Sequence, residues 1–427
     1  MKKVWMGVTV FLLAGLLLFA AWERKGKEEG EMPVLYQDLP QIHLMVASDL
    51  HYLSPSLTDH GGYFTEMVRH SDGKVMEYSE ELAEAFVDTV IKNKPDVLIL
   101  TGDLTFNGAR KSHEDLAVKL AEIESAGIPV LVISGNHDLD NRYAASFSGD
   151  GYELVPGVSP AGFEELYAAF GYEDAVSRDQ ASSSYVWEPA AGLRLLMLDV
   201  NGVEEPGSVP EETLRWLEQQ LDEARESGSR VLSFSHQNLL EHSMFEEGYV
   251  IGNSDEVLRL YREYGVAVNF TGHLHIQHIG EEDGFCEIAT SALSVSPNQY
   301  ADIMLESSGL EYSTSSVDVS AWAAQHRPDS AELLDFERYA GDFFWDTSYG
   351  QAAAELRDME DEGLKDAMAG YFAGLNQIYF SGHMEKAVSE EGLLEEWRHS
   401  GTFTGRYLES ILENAHEDQN HMVLELP

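Results

Sequence analysis

The hydrophobic pattern from residue 41 onward alternates short apolar runs with amphipathic segments. Apolar or small residues form short runs that predict strands over residues 42–47, 96–100, 131–134, 193–198, 230–234 and 266–270. Between them, apolar residues recur every three to four positions and predict helices over residues 80–92, 112–125, 210–224 and 255–264. Strands that alternate with helices are typical of an α/β protein with helices on the faces of its sheets.

The pattern changes beyond residue 270. Residues 277–279 with 285–289, and residues 301–305 with 311–317, predict two hairpins. From about Ala321 the composition becomes helical, with segments predicted over residues 331–339, 351–359 and 364–372 and from 393 onward. The chain therefore combines an α/β part with a small helical part at its end.

Polar side chains that bind metal ions follow five of the predicted strands directly. They are Asp49 and His51, then Asp103, then Asn136 and His137, then His236, and finally His273 and His275. Ligands of open α/β sheets bind at the carboxyl ends of the strands, so we expect these side chains to meet at one edge. Imidazole nitrogens mixed with carboxylate or amide oxygens suit Zn²⁺, Fe or Mn²⁺. These candidate ligands are too many for one metal ion. Two ions about 3.5–4 Å apart that share a carboxylate would use them all.

Composition narrows the classes of partner. Seventy-five acidic residues against 27 basic residues give a net charge of −48. The sequence contains no basic stripe that would follow a phosphate backbone, so we expect no polymeric nucleic acid as a partner. It also contains no G-x-x-x-x-G-K-[ST] motif, which argues against a P-loop nucleotide site.

The amino terminus is apolar. Lys2 and Lys3 precede an uncharged, mostly apolar run from Val4 to Trp22, whose length approaches that of a membrane span. We predict an uncleaved anchor, with the rest of the chain outside the cytoplasm. Cleavage and secretion are the alternative, because Ala20 and Ala21 are small.

The polar strand ends also match a known family. The ordered set Asp49-x-His51, Gly102-Asp103, Gly135-Asn136-His137-Asp138, His236 and Gly272-His273-x-His275 resembles the calcineurin-like metallophosphoesterase superfamily over about residues 42–292. Among its members, the chain most resembles bacterial cyclic-nucleotide phosphodiesterases. The resemblance implies an α/β sandwich of mixed sheets flanked by helices. Together with the apolar amino terminus and the helical composition after Ala321, the match predicts three parts: a signal or anchor segment with a linker (residues 1–30), a catalytic domain (31–320) and a small helical C-terminal domain (321–427).

The resemblance also implies roles for the residues at the strand ends. Two divalent transition-metal ions (Mn, Fe or Zn) would be bound, the first by Asp49, His51 and His275, the second by Asn136, His236 and His273, and both by Asp103. A metal-bridging hydroxide would attack phosphorus. His137 would contact the phosphoryl oxygen or protonate the leaving alkoxide. For Asp138 two interpretations stay open: it orients His137 through a hydrogen bond, or it caps its own loop.

The implied substrate is a small phosphodiester, and a cyclic nucleotide in particular. The alternatives are a broad-range phosphomonoesterase with the same metal site and a non-catalytic binding module anchored at the envelope. The oligomeric state stays open. Aromatic residues at partly helical spacing near the end of the chain predict a small core, with a lid over a nucleobase as the alternative; they are Phe343, Phe344, Trp345, Tyr349, Tyr371, Phe372, Tyr379 and Phe380.

Overall fold

Two mixed β-sheets dominate the computed structural model, which describes residues 36–244, 248–413 and 417–426. The strands of these residues, in chain order, are β1 (Ile42–Ala47), β2 (Val97–Leu100), β3 (Val130–Val132), β4 (Ala145–Ser148), β5 (Gly151–Leu154), β6 (Ser177–Arg178), β7 (Tyr185–Ala190), β8 (Leu193–Leu198), β9 (Arg230–Ser235), β10 (Val268–Thr271), β11 (His278–Glu282), β12 (Phe285–Ala289), β13 (Gln299–Glu306), β14 (Gly309–Ser316) and β15 (His421–Glu425).

Helices connect the strands in the first part of the chain and dominate its last part. They are α1 (Gly62–Arg69), α2 (Ser79–Asn93), α3 (Arg110–Ser125), α4 (Pro160–Leu166), α5 (Glu211–Ser227), α6 (Ser254–Tyr264), α7 (Val319–His326), α8 (Phe336–Glu355), α9 (Glu362–Phe380), α10 (Glu391–Ser400) and α11 (Phe403–Glu413). The chain from Gln37 onward clusters as one unit, so its helices and sheets are described together.

Each sheet has a parallel centre. The first sheet has the order β15-β14-β13-β1-β2-β3, in which β1, β2 and β3 are parallel and β13 is antiparallel to β1. The second sheet has the order β11-β12-β10-β9-β8-β7-β6, with β12, β10, β9 and β8 parallel. The predicted α/β architecture of mixed sheets and helices is confirmed.

The two sheets pack face to face over a shared core. All four residues of β2 are buried, as expected for a parallel strand that is covered on both faces. Phe270 of the second sheet stacks on its neighbour Phe234, with ring centroids 5.2 Å apart, and on Tyr312 of the first sheet at 6.3 Å. This packing fixes the two sheets against each other, and with them the loops that follow β1, β2, β3, β9 and β10.

The helical end of the chain differs from its prediction in two places. The prediction of separate helices over residues 331–339 and 351–359 is wrong, because one continuous helix of 20 residues, α8 (Phe336–Glu355), spans this part of the chain. Its buried side chains recur at helical spacing, so packing sustains it across Gly341 and Gly350. The part from residue 321 is also not wholly helical: β15 pairs with β14 in the first sheet. The domain limits of 31–320 and 321–427 stay a prediction.

The predicted amino-terminal anchor, residues 1–30, lies outside the described residues. Within the described part of the chain, the helices all lack the length or the apolar character that crossing a bilayer requires. The membrane attachment and the location outside the cytoplasm therefore stay predictions.

Candidate metal centre

Four of the predicted ligands converge from the ends of three strands. Asp49 and His51 follow β1, Asp103 follows β2 and His275 follows β10. The Nε2 atoms of His51 and His275 are 3.2 Å apart. Asp49 Oδ1 lies 3.3 Å from His275 Nε2, and Asp103 Oδ2 lies 3.7 Å from His51 Nε2. Donors that surround one Zn²⁺-sized ion tetrahedrally would be about 3.3 Å apart, so the spacing suits a shared cation.

A second group of donors lies on the other side of Asp103. His236 and His273 complete it, together with the other oxygen of Asp103. His236 Nε2 lies 3.5 Å from Asp103 Oδ1 and 3.0 Å from Asn136 Oδ1. Asp103 thus presents one carboxylate oxygen to each group, as a bridging ligand requires.

Backbone carbonyls fix the orientation of the imidazoles in the second group. His236 Nδ1 lies 2.8 Å from the carbonyl oxygen of Thr101, and His273 Nε2 lies 2.9 Å from that of Gly248. A carbonyl accepts only from a protonated ring nitrogen, so in the neutral form of each ring the lone pair lies on the opposite nitrogen. Metal-binding histidines commonly use their second nitrogen in this way.

One buried oxygen tests whether this cluster suits a cation. Asp49 is fully buried, and its Oδ1 has no partner with hydrogen-bond geometry among the described residues. Its other oxygen accepts a hydrogen bond of 2.9 Å from the backbone N–H of His273. A buried carboxylate oxygen without a partner is unfavourable, and a bound cation removes that penalty. The buried Asp and His side chains therefore fit a dinuclear metal site.

The carboxylates of the cluster also favour a bound cation. Burial opposes the charged form of His236, but the Asp103 carboxylate outweighs it and raises the pKa of His236 to about 9. Burial likewise opposes charge on His275, whose pKa the Asp49 carboxylate raises to about 9. These shifts reflect a negative potential that attracts cations. Burial lowers the pKa of His273 to about 4, so this ring stays in the neutral form that binds metals.

The backbone at these strand ends is strained. Five of the seven predicted ligands have positive φ angles, from 45° at His51 to 68° at His273. Such angles are uncommon for residues other than glycine and persist where the surrounding structure enforces them. The loops thus give up local stability to direct their side chains into the cluster.

Glycine before a ligand lets two of these loops approach closely. A Cβ atom on Gly135 would lie 2.2 Å from Asp103 Oδ1, and one on Gly272 would lie 1.7 Å from Ser48 Oγ. The Gly-Asn and Gly-His pairs of the sequence pattern therefore have a steric cause, because a larger residue would displace the carboxylate or the loop.

His137 lies at the rim of the cluster. Its side chain is 36% exposed and its Nε2 is 3.9 Å from Asp103 Oδ2, whereas the His51 side chain is fully buried. Its Nδ1 lies 2.9 Å from the carbonyl oxygen of Phe106, which leaves Nε2 directed toward the cluster. This position suits the predicted contact with a substrate, which stays a prediction.

Asp138 does not orient His137. Its buried carboxylate accepts hydrogen bonds from the backbone N–H groups of Leu104, Thr105 and Gly135, at 2.9 to 3.0 Å. The predicted hydrogen bond to His137 is wrong, and the loop-capping alternative applies, because Nδ1 of His137 faces the carbonyl oxygen of Phe106 instead. Burial, with the charge of Asp103, raises the pKa of Asp138 to about 6.

Asp72 is a functional candidate that the sequence analysis missed. Its Oδ2 lies 3.2 Å from Nδ1 of His275, on the side of the ring away from the cluster. Lys74 Nζ donates to both oxygens of Asp72, at 2.8 and 2.6 Å. Lys74 and His275 contact the half-exposed carboxylate of Asp72 and hold its pKa well below its usual range. A carboxylate behind a metal-binding histidine fixes the ring and makes it a stronger ligand.

Asp72→Asn is expected to weaken metal binding by about 10- to 100-fold, because the amide no longer accepts strongly from His275. Titration of the metal-free protein with Mn²⁺ against a competing chelator measures this change. Asp59→Asn is the matched control: Asp59 lies in the same connection between β1 and α2 but accepts from the backbone of Gly61 and Gly149. Equal affinities for the two variants would contradict a role for Asp72 in positioning His275.

Two family models match the chain. One, described as calcineurin-like phosphoesterase, matches residues 42–277, and the other, described as C-terminal domain of cyclic nucleotide phosphodiesterase, matches residues 318–418. The first covers more than half of the chain, so this protein belongs to the calcineurin-like phosphoesterase family. The predicted class, a metallophosphoesterase most similar to cyclic-nucleotide phosphodiesterases, is confirmed.

Individual relatives match shorter stretches. A probable cyclic nucleotide phosphodiesterase from Ruthia magnifica subsp. Calyptogena magnifica is 40% identical over 62 residues, which are 14% of this chain and 25% of that protein. The DNA double-strand break repair protein Mre11 from Sulfurisphaera tokodaii is 23% identical over 209 residues, 48% of this chain and 45% of that protein. The chain thus spans less than half the length of these curated relatives. A solved dimetal phosphatase from Danio rerio superposes with a TM-score of 0.48 at 17% identity, over 64% of this chain and 95% of that one.

Proposed function

We propose that this protein hydrolyses a small phosphodiester, and a cyclic nucleotide in particular, at a centre of two divalent transition-metal ions. The observation that carries the proposal is the position of Asp103, whose two oxygens face separate groups of donors. The match of residues 318–418 to the C-terminal domain of cyclic nucleotide phosphodiesterases supports the choice of substrate.

Asp49, His51 and His275 would hold one ion, and Asn136, His236 and His273 would hold the other, with Asp103 between them. When bound, such ions offset the charge of a phosphate ester and lower the pKa of a water molecule. The protein contributes rigidity: hydrogen bonds from the backbone N–H groups of Leu104 and Thr105 to Asp138 tie the loop after β3 to the loop after β2. This network holds Asn136 and Asp103 in a fixed relation.

The reaction adds one water molecule across a P–O bond. The water gives up one proton as its oxygen bonds to phosphorus, the bond from phosphorus to the ribose oxygen breaks, and that oxygen takes up one proton, so one water molecule is consumed. His137 is placed to supply the proton, because its Nε2 is directed toward the cluster from an accessible position. An alkoxide is a poor leaving group, so this proton matters most for a substrate that releases an alcohol.

A substrate panel tests the proposal on the full-length protein loaded with Mn²⁺, Zn²⁺ or Fe²⁺. The panel contains 3′,5′- and 2′,3′-cyclic nucleotides, linear phosphodiesters and phosphomonoesters. We expect kcat/KM for one cyclic nucleotide to exceed that for p-nitrophenyl phosphate by at least about 10-fold, which corresponds to about 1.4 kcal/mol in the transition state. A higher value for the monoester would favour a broad-range phosphomonoesterase. No turnover by the loaded protein would favour a binding module.

A further inference from the structure

A cavity of about 400 Å³ lies beside the metal centre. One wall contains His273 and His275, a ligand from each of the two donor groups. The C-terminal helices supply a further part of the lining, which includes Phe372 of α9 and Phe403 and Tyr407 of α11. The volume is within the range of about 300–1,000 Å³ that is usual for small-molecule sites. The cavity thus joins the proposed site of hydrolysis to the helical part of the chain.

The helical wall is aromatic and firmly held. The rings of Phe403 and Tyr407 are nearly parallel, with an angle of 12° between them and centroids 6.2 Å apart. The buried Tyr407 donates a hydrogen bond of 3.0 Å to Asn376 Oδ1, and the amide of Asn376 donates to Ser348 at 3.0 Å. Phe403 itself is 42% exposed. An exposed aromatic ring on a rigid support offers a flat apolar surface to a ligand, and planar heterocycles stack well on such surfaces.

Polar groups at the same wall complement the aromatic surface. Gln351 and Glu355 of α8 and Thr404 of α11 also line the cavity. Gln351 reaches the backbone carbonyl of Ser71 at 3.4 Å, next to Asp72. Amide, carboxylate and hydroxyl groups next to an aromatic ring can hydrogen-bond the edge of a base that stacks on the ring.

We propose that this cavity binds the planar heterocyclic base of a nucleotide whose phosphate lies at the metal centre. The C-terminal helices then determine which phosphodiesters the enzyme accepts, whereas the strand ends carry out the chemistry. The proposal rests on the proposed function, because the base can occupy the cavity only if the substrate is a nucleotide.

Phe403→Ala tests the proposal, because this side chain is 42% exposed and is not one of the buried residues of the helical core. We compare the Mn²⁺-loaded full-length protein, Phe403→Ala and Phe403→Tyr by calorimetric titration with 5′-AMP and with ribose 5-phosphate, which lacks the base. Phe403→Ala is expected to lose about 10-fold in affinity for 5′-AMP and none for ribose 5-phosphate. Phe403→Tyr keeps the ring and should bind 5′-AMP as the wild type does. Leu334→Ala, which removes a side chain of similar exposure (41%) elsewhere in the helical part, is the matched control.

Turnover by the wild type separates failure of this proposal from failure of the proposed function. If the wild type hydrolyses cyclic nucleotides but Phe403→Ala changes neither their KM nor the affinity for 5′-AMP, the cavity is not the base site and the proposed function stands. If the wild type hydrolyses other phosphodiesters only, the proposed substrate is wrong. Equal affinity of the wild type for 5′-AMP and ribose 5-phosphate would overturn the cavity proposal in either case.

Discussion

Asp103→Asn is expected to abolish turnover and to reduce bound metal from two equivalents to at most one. Asp103 Oδ1 faces His236 at 3.5 Å and Oδ2 faces His51 at 3.7 Å, so one carboxylate serves both donor groups. The amide keeps the shape of the side chain but removes its charge and turns an NH₂ group toward one group of donors. Because charge stabilisation by metal ions is worth several kcal/mol, we expect kcat/KM to fall at least about 1,000-fold.

Metal analysis of the reloaded protein, together with steady-state kinetics, measures both effects of Asp103→Asn. Asp302→Asn is the matched control, since Asp302 is paired with His43 on β1 at 2.8 Å, outside the two donor groups. That variant should keep two equivalents of metal and its turnover. If Asp103→Asn also retained two equivalents and turned over within 10-fold of the wild type, Asp103 would not be a bridging ligand.

His137→Ala is expected to keep both metal ions and to lose about 10²- to 10⁴-fold in kcat, the usual contribution of a general acid. The reason is its position, at the rim of the cluster with Nε2 3.9 Å from Asp103 Oδ2. The loss should be largest for a cyclic nucleotide, whose leaving alkoxide needs a proton. It should be small for bis(p-nitrophenyl) phosphate, whose leaving phenolate does not.

Metal content and kcat for the two substrates give the measurement for His137→Ala. His70→Ala is its control, because the His70 side chain is 72% exposed and pairs with Glu66 in α1. If His137→Ala lost its bound metal, His137 would be a metal ligand and not the general acid. Equal losses for both substrates would remove the proton-transfer role.

Residues directly at the ends of strands were predictable. Asp49, Asp103 and His275 follow apolar runs, and parallel strands bring such positions together by geometry alone. Asp72 was not predictable, because its partner His275 is distant in sequence and only the folded loop brings the two side chains together. Asp138 shows that neighbours in sequence need not interact. It follows His137 directly, yet its carboxylate accepts hydrogen bonds from the loop after β2.

In the helical part, packing overrides the local sequence preference for a helix break. Gly341 and Gly350 weaken a helix in sequence terms, but α8 is continuous because buried residues such as Phe344 hold it against the rest of the protein. The aromatic residues that predicted a small core fill two roles. Phe344 packs with Ala292 and Val295 in a core, and the buried Phe372 packs in a second core and also lines the cavity. The alternative of a lid over a nucleobase stays a prediction.

Strand β15 returns the chain to the first sheet after the C-terminal helices. The helices leave the first sheet after β14 and the chain returns as β15 beside it, where the backbone N–H of Thr314 donates to the carbonyl of Asn420 at 3.1 Å. The whole helical stretch is therefore an insertion between two adjacent strands, with its ends side by side. Insertions of this kind tolerate lengthening, shortening and replacement, because the framework at their base stays in place. With the base site on these helices and the metal ligands on the strand ends, as proposed above, substrate recognition would be able to change while the hydrolytic site stays the same.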